Sequence, residues 1–502
     1  MMTRLAGADA LSVHTQSFTT PAHTLTLVII EDDETKLTHS TLHRLLAASL
    51  PQMARFRSRL VAKPFGAGQP VWGEIDGFDP TPHMHRATVR SPGGRREFAL
   101  LIGDLTARPM ERGRLWEAWS IDGLAGGNWA LAVKMSPALN DGAAGAASLW
   151  PRLLTRGPRV DSASRLPREP TLGAAPSFAG LVTDLASEIV GNHITGGWLI
   201  AEAASHVLRA VSRRLSDPGG PDPVAQTRSA RTGRVPQTSF NAPLTRRRAV
   251  SFTSIPLADL RTINSAFGGS ITNVVLAACT LSLRAWLQRH DELPANPLLM
   301  RMPFELPATE APKAGKALTT GRLRIPVQLD DAVHILANLH TATERLNALR
   351  SRQVGNNYTA SDFDAMASLI PPSVASLGMQ FYTRSGLRRR LKPLYHGSVS
   401  NITFEPVPAY CAGAKVVGVH VVAPLSEESG LNVALTTSGE DVDVSVCVCP
   451  DNVPGVDDIA SGIVHAVNVL VAAAEKSPRG RGRSVVTEMA SHPANRGRDR
   501  PY

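Results

Sequence analysis

A strand-like run, Trp129 to Met135, leads into the tight polar loop Ser136-Pro137-Ala138-Leu139-Asn140-Asp141-Gly142, and the small-residue segment Ala143 to Leu149 leaves it as a helix start. A strand ending in such a loop, with Asp-Gly before a helix, sets side chains at the mouth of a cleft. Taken alone the junction is as readily a plain connection, because Asp-Gly is most often turn chemistry. Other strands show as period-2 alternation. Leu25, Leu27 and Ile29 alternate within Thr24 to Ile30, and Val442, Val444, Val446 and Val448 alternate with Asp443, Ser445, Cys447 and Cys449 after the turn at Ser438 to Asp441. A helix is expected from about His39 to Leu50, with Leu42, Leu45, Leu46 and Leu50 on one face and Thr38 or Ser40 as its cap. The helix from Asn273 is apolar nearly all round, which requires burial, and a closing helix runs from about Val456 to Glu475.

At 502 residues the chain is long enough for two or three domains and a substantial core. Mean hydropathy near zero with 19 % charged residues describes a globular protein. No stretch reaches the ~18 uninterrupted apolar residues of a membrane span, since the run at Val464 to Ala474 is broken by His465 and Asn468. Arg4 and Asp9 interrupt Met1 to Val13, which excludes a secretory hydrophobic region there and makes the cytoplasm the expected location. Cys279, Cys411, Cys447 and Cys449 have no metal-ligand spacing, and reduced structural thiols are expected, with no metal and no cofactor.

The formal charge of +10 is unevenly placed. From Lys476 onward seven basic and two acidic residues leave a net +5, half of the total. The remainder over the folded body is modest and excludes a nucleic-acid-binding fold as the source of the high pI. Ser477 to Tyr502 lacks apolar periodicity and is expected to be disordered. Its charge would hold the chain loosely at an anionic membrane, at ~1 kcal/mol per basic residue near the surface; a merely solubilising tail is the plainer reading. Between Pro151 and Phe240 only Phe178 to Leu215 reads as helical, and Ser216 to Gln237, rich in Pro, Gly and Arg, reads as an exposed crossover.

Several short blocks carry a resemblance in their shared order. They are the Ala138 and Asp141-Gly142 frame, Phe78-Asp79, Arg114-Leu115-Trp116-Glu117, Arg246-Arg247-Arg248, Thr272-Asn273, Ser400-Asn401 and Gly430-Leu431-Asn432-Val433. Together they resemble the bacterial wax ester synthase/diacylglycerol acyltransferase family over roughly residues 1–475. The resemblance implies two α/β domains of the chloramphenicol-acetyltransferase type, with mixed sheets and a channel between them. On that basis residues 1–155 form an N-terminal acyltransferase domain, 156–240 a crossover, 241–475 a C-terminal acyltransferase domain and 476–502 a basic tail.

The same resemblance implies the chemistry. In the family a His-His-x-x-x-Asp-Gly motif supplies the general base: its second histidine takes the proton of an acceptor hydroxyl, and the alkoxide attacks an acyl-CoA thioester. Here Ser136 holds the first histidine position and Pro137 the second. Proline has no titratable atom, and losing a general base costs on the order of 10²–10⁴ in rate. Asp141 and Gly142 keep the structural end of the motif, while Thr272, Asn273, Ser400 and Asn401 stand at the family's cleft-lining blocks, the usual Asn-Asp and Pro-Gly-Pro being altered. Ser136 has a hydroxyl with no evident activating partner.

Three functions follow. One is an O-acyltransferase moving a long-chain acyl group from acyl-CoA to diacylglycerol or a long-chain alcohol, with peripheral contact at the inner membrane face or a lipid-droplet surface. Another is a non-catalytic relative that binds acyl-CoA or neutral lipid. The third is a condensation-type acyltransferase of peptide or polyketide assembly, disfavoured by the Leu-Trp-Glu and Ser-Asn blocks.

Overall fold

The computed structural model describes residues 2–5, 7–32, 37–111, 113–140, 146–158, 168–192, 235–305, 318–353, 369–385, 395–403, 409–427 and 429–477. Asp141, Gly142, residues 216–234 of the crossover and nearly all of the basic tail lie outside them, as does the second half of the helix read from Phe178. Two sheets of mixed pairing organise the rest. The first contains β1 (Thr24–Ile30), β4 (Met84–Thr88), β5 (Trp116–Asp122), β6 (Trp129–Met135), β7 (Leu154–Thr155), β12 (Tyr410–Cys411) and β13 (Ala414–Val422), in the order β4-β5-β6-β1-β13-β12-β7. The second contains β8 (Ala249–Pro256), β9 (Leu298–Glu305), β10 (Leu318–Ile325), β11 (Gly397–Thr403), β14 (Leu431–Ser438) and β15 (Asp441–Val448), in the order β10-β9-β11-β14-β15-β8. A two-stranded ribbon, β2 (Ser58–Val61) with β3 (Val71–Glu74), flanks the first. The expected α/β class and the strands at Thr24 and Val442 are present.

Position within a sheet explains where the alternation in the sequence was an incomplete guide. β1 lies between β6 and β13, so Leu25, Leu27, Val28 and Ile30 are all buried and both faces are apolar. In β5, Trp116 and Trp119 take opposite faces, as an odd spacing requires. Trp116 enters the core under α1 (Gly7–His14) and α2 (His39–Ser49), and its indole N–H donates to the Phe56 carbonyl at 2.8 Å. Trp119 instead faces the second sheet, in a cluster with Val250 and Phe252 of β8. Both tryptophans are core residues, but of two different cores. Thr38 is the cap of α2, its hydroxyl accepting from Thr41 N.

The second sheet packs its apolar face, Val399, Val433, Leu435, Val444 and Val446, against the helices Ile271–Arg289 and Val456–Lys476. By length and composition the latter helix is apolar enough to cross a membrane. Its stripe of Ile459, Ile463, Val467 and Leu470 is nevertheless buried in this core, which accounts for its apolar character without lipid.

β13 locks the halves together: it follows the second half's strand β11 in the chain, yet pairs with β1 in the first sheet. Across the seam the Asp443 carboxylate of β15 accepts from Val419 N of β13 at 2.8 Å and from the Ser254 hydroxyl at 2.6 Å. Burial pushes the Asp443 carboxyl up. Gly103 of α3 (Arg95–Ala107) permits the other contact, because a Cβ there would stand 2.7 Å from the Arg248 carbonyl at the start of β8. Asp443→Ala orphans the buried Val419 N–H, while the exposed Ser254 hydroxyl turns to water, and a loss of about 1–3 kcal/mol is expected for one buried unsatisfied group. Urea denaturation checks this. A change within ~0.5 kcal/mol, the range of an ordinary surface substitution, would show that the seam does not depend on this carboxylate.

Candidate active site

β6 delivers the motif loop. Beyond Met135 the chain turns at Ser136 into the 3₁₀ turn Pro137–Asn140, which proline at its first position favours by its fixed φ. Ser136 is buried, its N–H donates to the Leu115 carbonyl at 2.8 Å, and its carbonyl accepts from Leu139 N at 3.0 Å. The Ser136 hydroxyl accepts from Ala138 N at 3.4 Å. Ser136 thus closes its own turn and meets no imidazole among the described residues. Ala138 and Leu139 are fully buried in the first core, against the turn's cover helix α1. Pro137 offers no proton acceptor in its side chain.

Two titratable side chains the sequence reading did not single out flank this loop. Lys134 alternates with Ala132 and Ala130 onto the face turned to the second sheet. Its ammonium donates to the Arg108 carbonyl at 2.6 Å and lies 5.3 Å from the Trp119 ring centre. Burial lowers its pKa to about 8, partly offset by Glu117. His23 precedes β1, whose first residue Thr24 pairs with Met135, so one further step of the register sets His23 beside Ser136. Its Nδ1 is buried without a hydrogen-bond partner, and burial, with the Lys134 charge second, lowers its pKa to about 4. Only strand register links His23 to the motif, and no sequence spacing shows that.

Facing them is a polar stripe on the second sheet. Register sets Ser398, Asn432 and Cys447 in one row, Ser400, Ala434 and Ser445 in the next, and Ile402, Thr436 and Asp443 in a third. His420 of β13 reaches this face, 3.5 Å from the Ser445 hydroxyl and with its ring 4.7 Å from Phe252. Burial lowers its pKa to about 3. Ser398 accepts from Asn432 at 2.7 Å, but Ser400 Oγ, Asn432 Oδ1 and Thr436 Oγ1 are buried with no partner. Three orphaned acceptors on one sheet face are a costly arrangement in a closed core; they suit a face that receives a polar ligand group or water.

Ser400 lies on this face, and Asn401, the next residue of β11, pairs with Leu435. Thr272 and Asn273 do not cap their helix. Ser270 does, accepting from Asn273 N, because the helix starts at Ile271. Asn273 is buried against His340 and Thr343 at 3.3 and 3.1 Å, and Thr272 lines a small cavity of about 160 Å³ with Leu435 and Val442.

His83 and His39 are engaged away from the loop. His83 stacks on Trp116 with its Nδ1 2.9 Å from the Trp116 carbonyl, and burial lowers its pKa. A serine–histidine–carboxylate contact does exist, with Ser120 Oγ 2.7 Å from His39 Nδ1 and His39 Nε2 3.3 Å from Asp122. It lies toward the opposite end of β5 from Trp116, and Ser120 is 0 % exposed, so no substrate reaches that hydroxyl. The four cysteines are free and buried, with the thiols of Cys279, Cys411 and Cys447 pushed up to about 12. Among the described residues no group of side chains could hold a metal ion.

Residues 5–275 match the model of the wax ester synthase/diacylglycerol acyltransferase catalytic domain, and residues 315–470 match that family's C-terminal domain. A provisionally named diacylglycerol O-acyltransferase of Mycobacterium tuberculosis (strain CDC 1551 / Oshkosh) is 27 % identical over 95 % of this chain and 92 % of its own length. Another relative so named, from strain ATCC 25618 / H37Rv, is 27 % identical over 88 % of this chain and 90 % of its own. The structure of the wax ester synthase/diacylglycerol acyltransferase from Marinobacter aquaeolei VT8 superposes with a TM-score of 0.64, at 21 % identity, over 94 % of this chain and 100 % of that one. The first condensation domain of the calcium-dependent antibiotic synthetase gives 0.52 at 16 % identity, over 95 % and 97 %, a likeness of fold.

Proposed function

The chain belongs to the wax ester synthase/diacylglycerol acyltransferase family of acyltransferases, and from that premise we propose that it binds long-chain acyl-CoA and a diacylglycerol or long-chain alcohol between its two sheets, with transfer held back at Pro137. What supports this reading is a sheet face with unpartnered polar atoms together with a motif turn that carries no imidazole. Ser400, Asn432 and Thr436 still present unpartnered polar atoms to the space between the sheets, while the motif turn carries Ser136 and Pro137 and no imidazole.

Transfer needs the acceptor O–H proton removed as its oxygen bonds the thioester carbon, after which the C–S bond breaks and the CoA sulfur leaves. Binding uses the whole receptor, but proton removal depends on one group, so the two are separable. His23 is the nearest imidazole by register, and a pKa near 4 leaves it neutral but weakly basic at pH 7. A lipid-surface contact belongs to the same reading. The helix Pro372–Arg384 exposes Val374, Leu377 and Phe381, at spacings of three and four that share one face.

The test uses the purified full chain with labelled palmitoyl-CoA and dioleoylglycerol or hexadecanol. Saturable palmitoyl-CoA binding with product near background is expected. Absence of binding removes the reading. Brisk transfer that survives His23→Ala and His83→Ala removes its second half and demands another base.

A further inference from the structure

The pair that ends the β1–β6 ladder is Thr24 with Met135, so His23 stands one step beyond it, opposite Ser136. Directly opposed residues of antiparallel strands hold their Cβ atoms about 4.5–5.5 Å apart. The His23 imidazole is therefore within a side-chain length of the turn in which Ser136 and Pro137 hold the two motif positions. Alternation along β1 puts His23 on the face of Leu25 and Leu27, which is turned to the second sheet, and alternation along β6 puts Lys134 and Ser136 on that same face. The Nδ1 of His23 is buried and has no hydrogen-bond partner. A nitrogen left so opposes folding by roughly 1–3 kcal/mol, which suits a place where a substrate group supplies the missing hydrogen bond. The residue as a whole is half-buried, unlike the sealed Ser120. His420 also reaches this face, but it pairs with Leu27, four residues or about 13 Å along β1 from His23.

Resting on the acyl-CoA reading above, we propose that His23, carried on the neighbouring strand, acts in place of the absent motif histidine as the base of a slow residual transfer. In that step the acceptor O–H proton passes to the unprotonated nitrogen of the His23 ring as the acceptor oxygen bonds the thioester carbon. The tetrahedral intermediate then expels the CoA sulfur. As the C–S bond breaks, the imidazolium gives its proton to that sulfur, so CoA leaves as the thiol and the ring ends neutral. Lys134 stays out of the proton's path, because its ammonium is held by the Arg108 carbonyl. Burial, with the Lys134 charge second, keeps the His23 pKa at about 4, so the ring is unprotonated at pH 7. A base so weak contributes less than the 10²–10⁴ usual for one tuned to the working pH, and a share of about tenfold is expected.

Single-turnover transfer from labelled palmitoyl-CoA to dioleoylglycerol, with the full chain in excess, tests this in the wild type, His23→Ala and His23→Gln, beside palmitoyl-CoA binding by calorimetry. Transfer about tenfold slower in both variants is expected, with palmitoyl-CoA affinity unchanged within about twofold. Added imidazole should restore the rate of His23→Ala and not that of His23→Gln, where the glutamine fills the space; a merely structural histidine gives no such rescue. Glutamine also keeps the bulk of the side chain, so it reads the effect if the alanine variant does not fold. Variants that transfer at the wild-type rate overturn the proposal, as does wild-type transfer no faster than a protein-free blank. Both results leave the acyl-CoA reading standing as long as palmitoyl-CoA binds. A loss of palmitoyl-CoA affinity as large as the loss of rate makes His23 part of the receptor and overturns its role as base. No palmitoyl-CoA binding to the wild type removes the reading beneath the proposal, and the proposal with it.

Discussion

Replacing Ser136 and Pro137 together by histidine is expected to raise acyl transfer from palmitoyl-CoA by about 10²–10⁴, the usual contribution of a positioned general base. The acceptor hydroxyl loses its proton only as its oxygen attacks, so an imidazole at the loop acts in the transition state and leaves ground-state binding almost unchanged. kcat should therefore rise with little change in KM for the donor. The double change is the fair one. The Ser136 hydroxyl caps its own turn, and its backbone N–H to Leu115 and its carbonyl to Leu139 survive any side chain. Pro137→His alone leaves a serine-capped turn behind an imidazole, and its gain should be smaller. Single-turnover transfer in both variants checks the order. A double variant no faster than wild type, yet binding palmitoyl-CoA equally well, would show that the loop no longer faces the receptor.

Much of this was readable beforehand because it rests on local patterns. Thr24–Ile30, the helix capped by Thr38 and the alternating valines of Val442–Val448 announce themselves through spacing and chemistry within a dozen residues. That Pro137 stands at the position of the family's base is a reading from the sequence resemblance alone. What escaped notice depends on partners far along the chain. Lys134 reads as an ordinary strand residue until β5 brings Trp119 and Glu117 to it and α3 ends at the Arg108 carbonyl. His23 gains meaning only from the β1–β6 register. The Arg246-Arg247-Arg248 run was visible as charge, but Arg96 and Arg108 join it only because Gly103 lets α3 lie on β8. The helix read from Asn273 starts two residues earlier, at Ile271, because Ser270 is its cap and the apolar run alone does not mark a helix start.

Lys134→Met should make the chain more stable near neutral pH and lose that advantage in alkali. The lysine pKa falls from 10.5 to about 8 on folding, so the folded state binds its proton less tightly than the unfolded chain. Below pH 8 both states are charged and the buried ammonium carries its full penalty. At 1.36 kcal/mol per unit this is about 3 kcal/mol. Between pH 8 and 10.5 the folded amine is neutral while the unfolded one is still charged, and wild-type stability rises with pH. Methionine matches the stem in volume and removes the penalty, but orphans the Arg108 carbonyl and forfeits the Trp119 contact, which takes back roughly 1–3 kcal/mol. A net gain of about 1 kcal/mol at pH 7 is therefore expected, reversing by pH 10. The change in the difference between the two proteins is the firmer quantity, because every other titrating group cancels from it. Urea denaturation of both from pH 7 to 10.5 gives it directly. A stability difference that stays flat across that range would mean that Lys134 keeps its ordinary proton affinity and has water beside it.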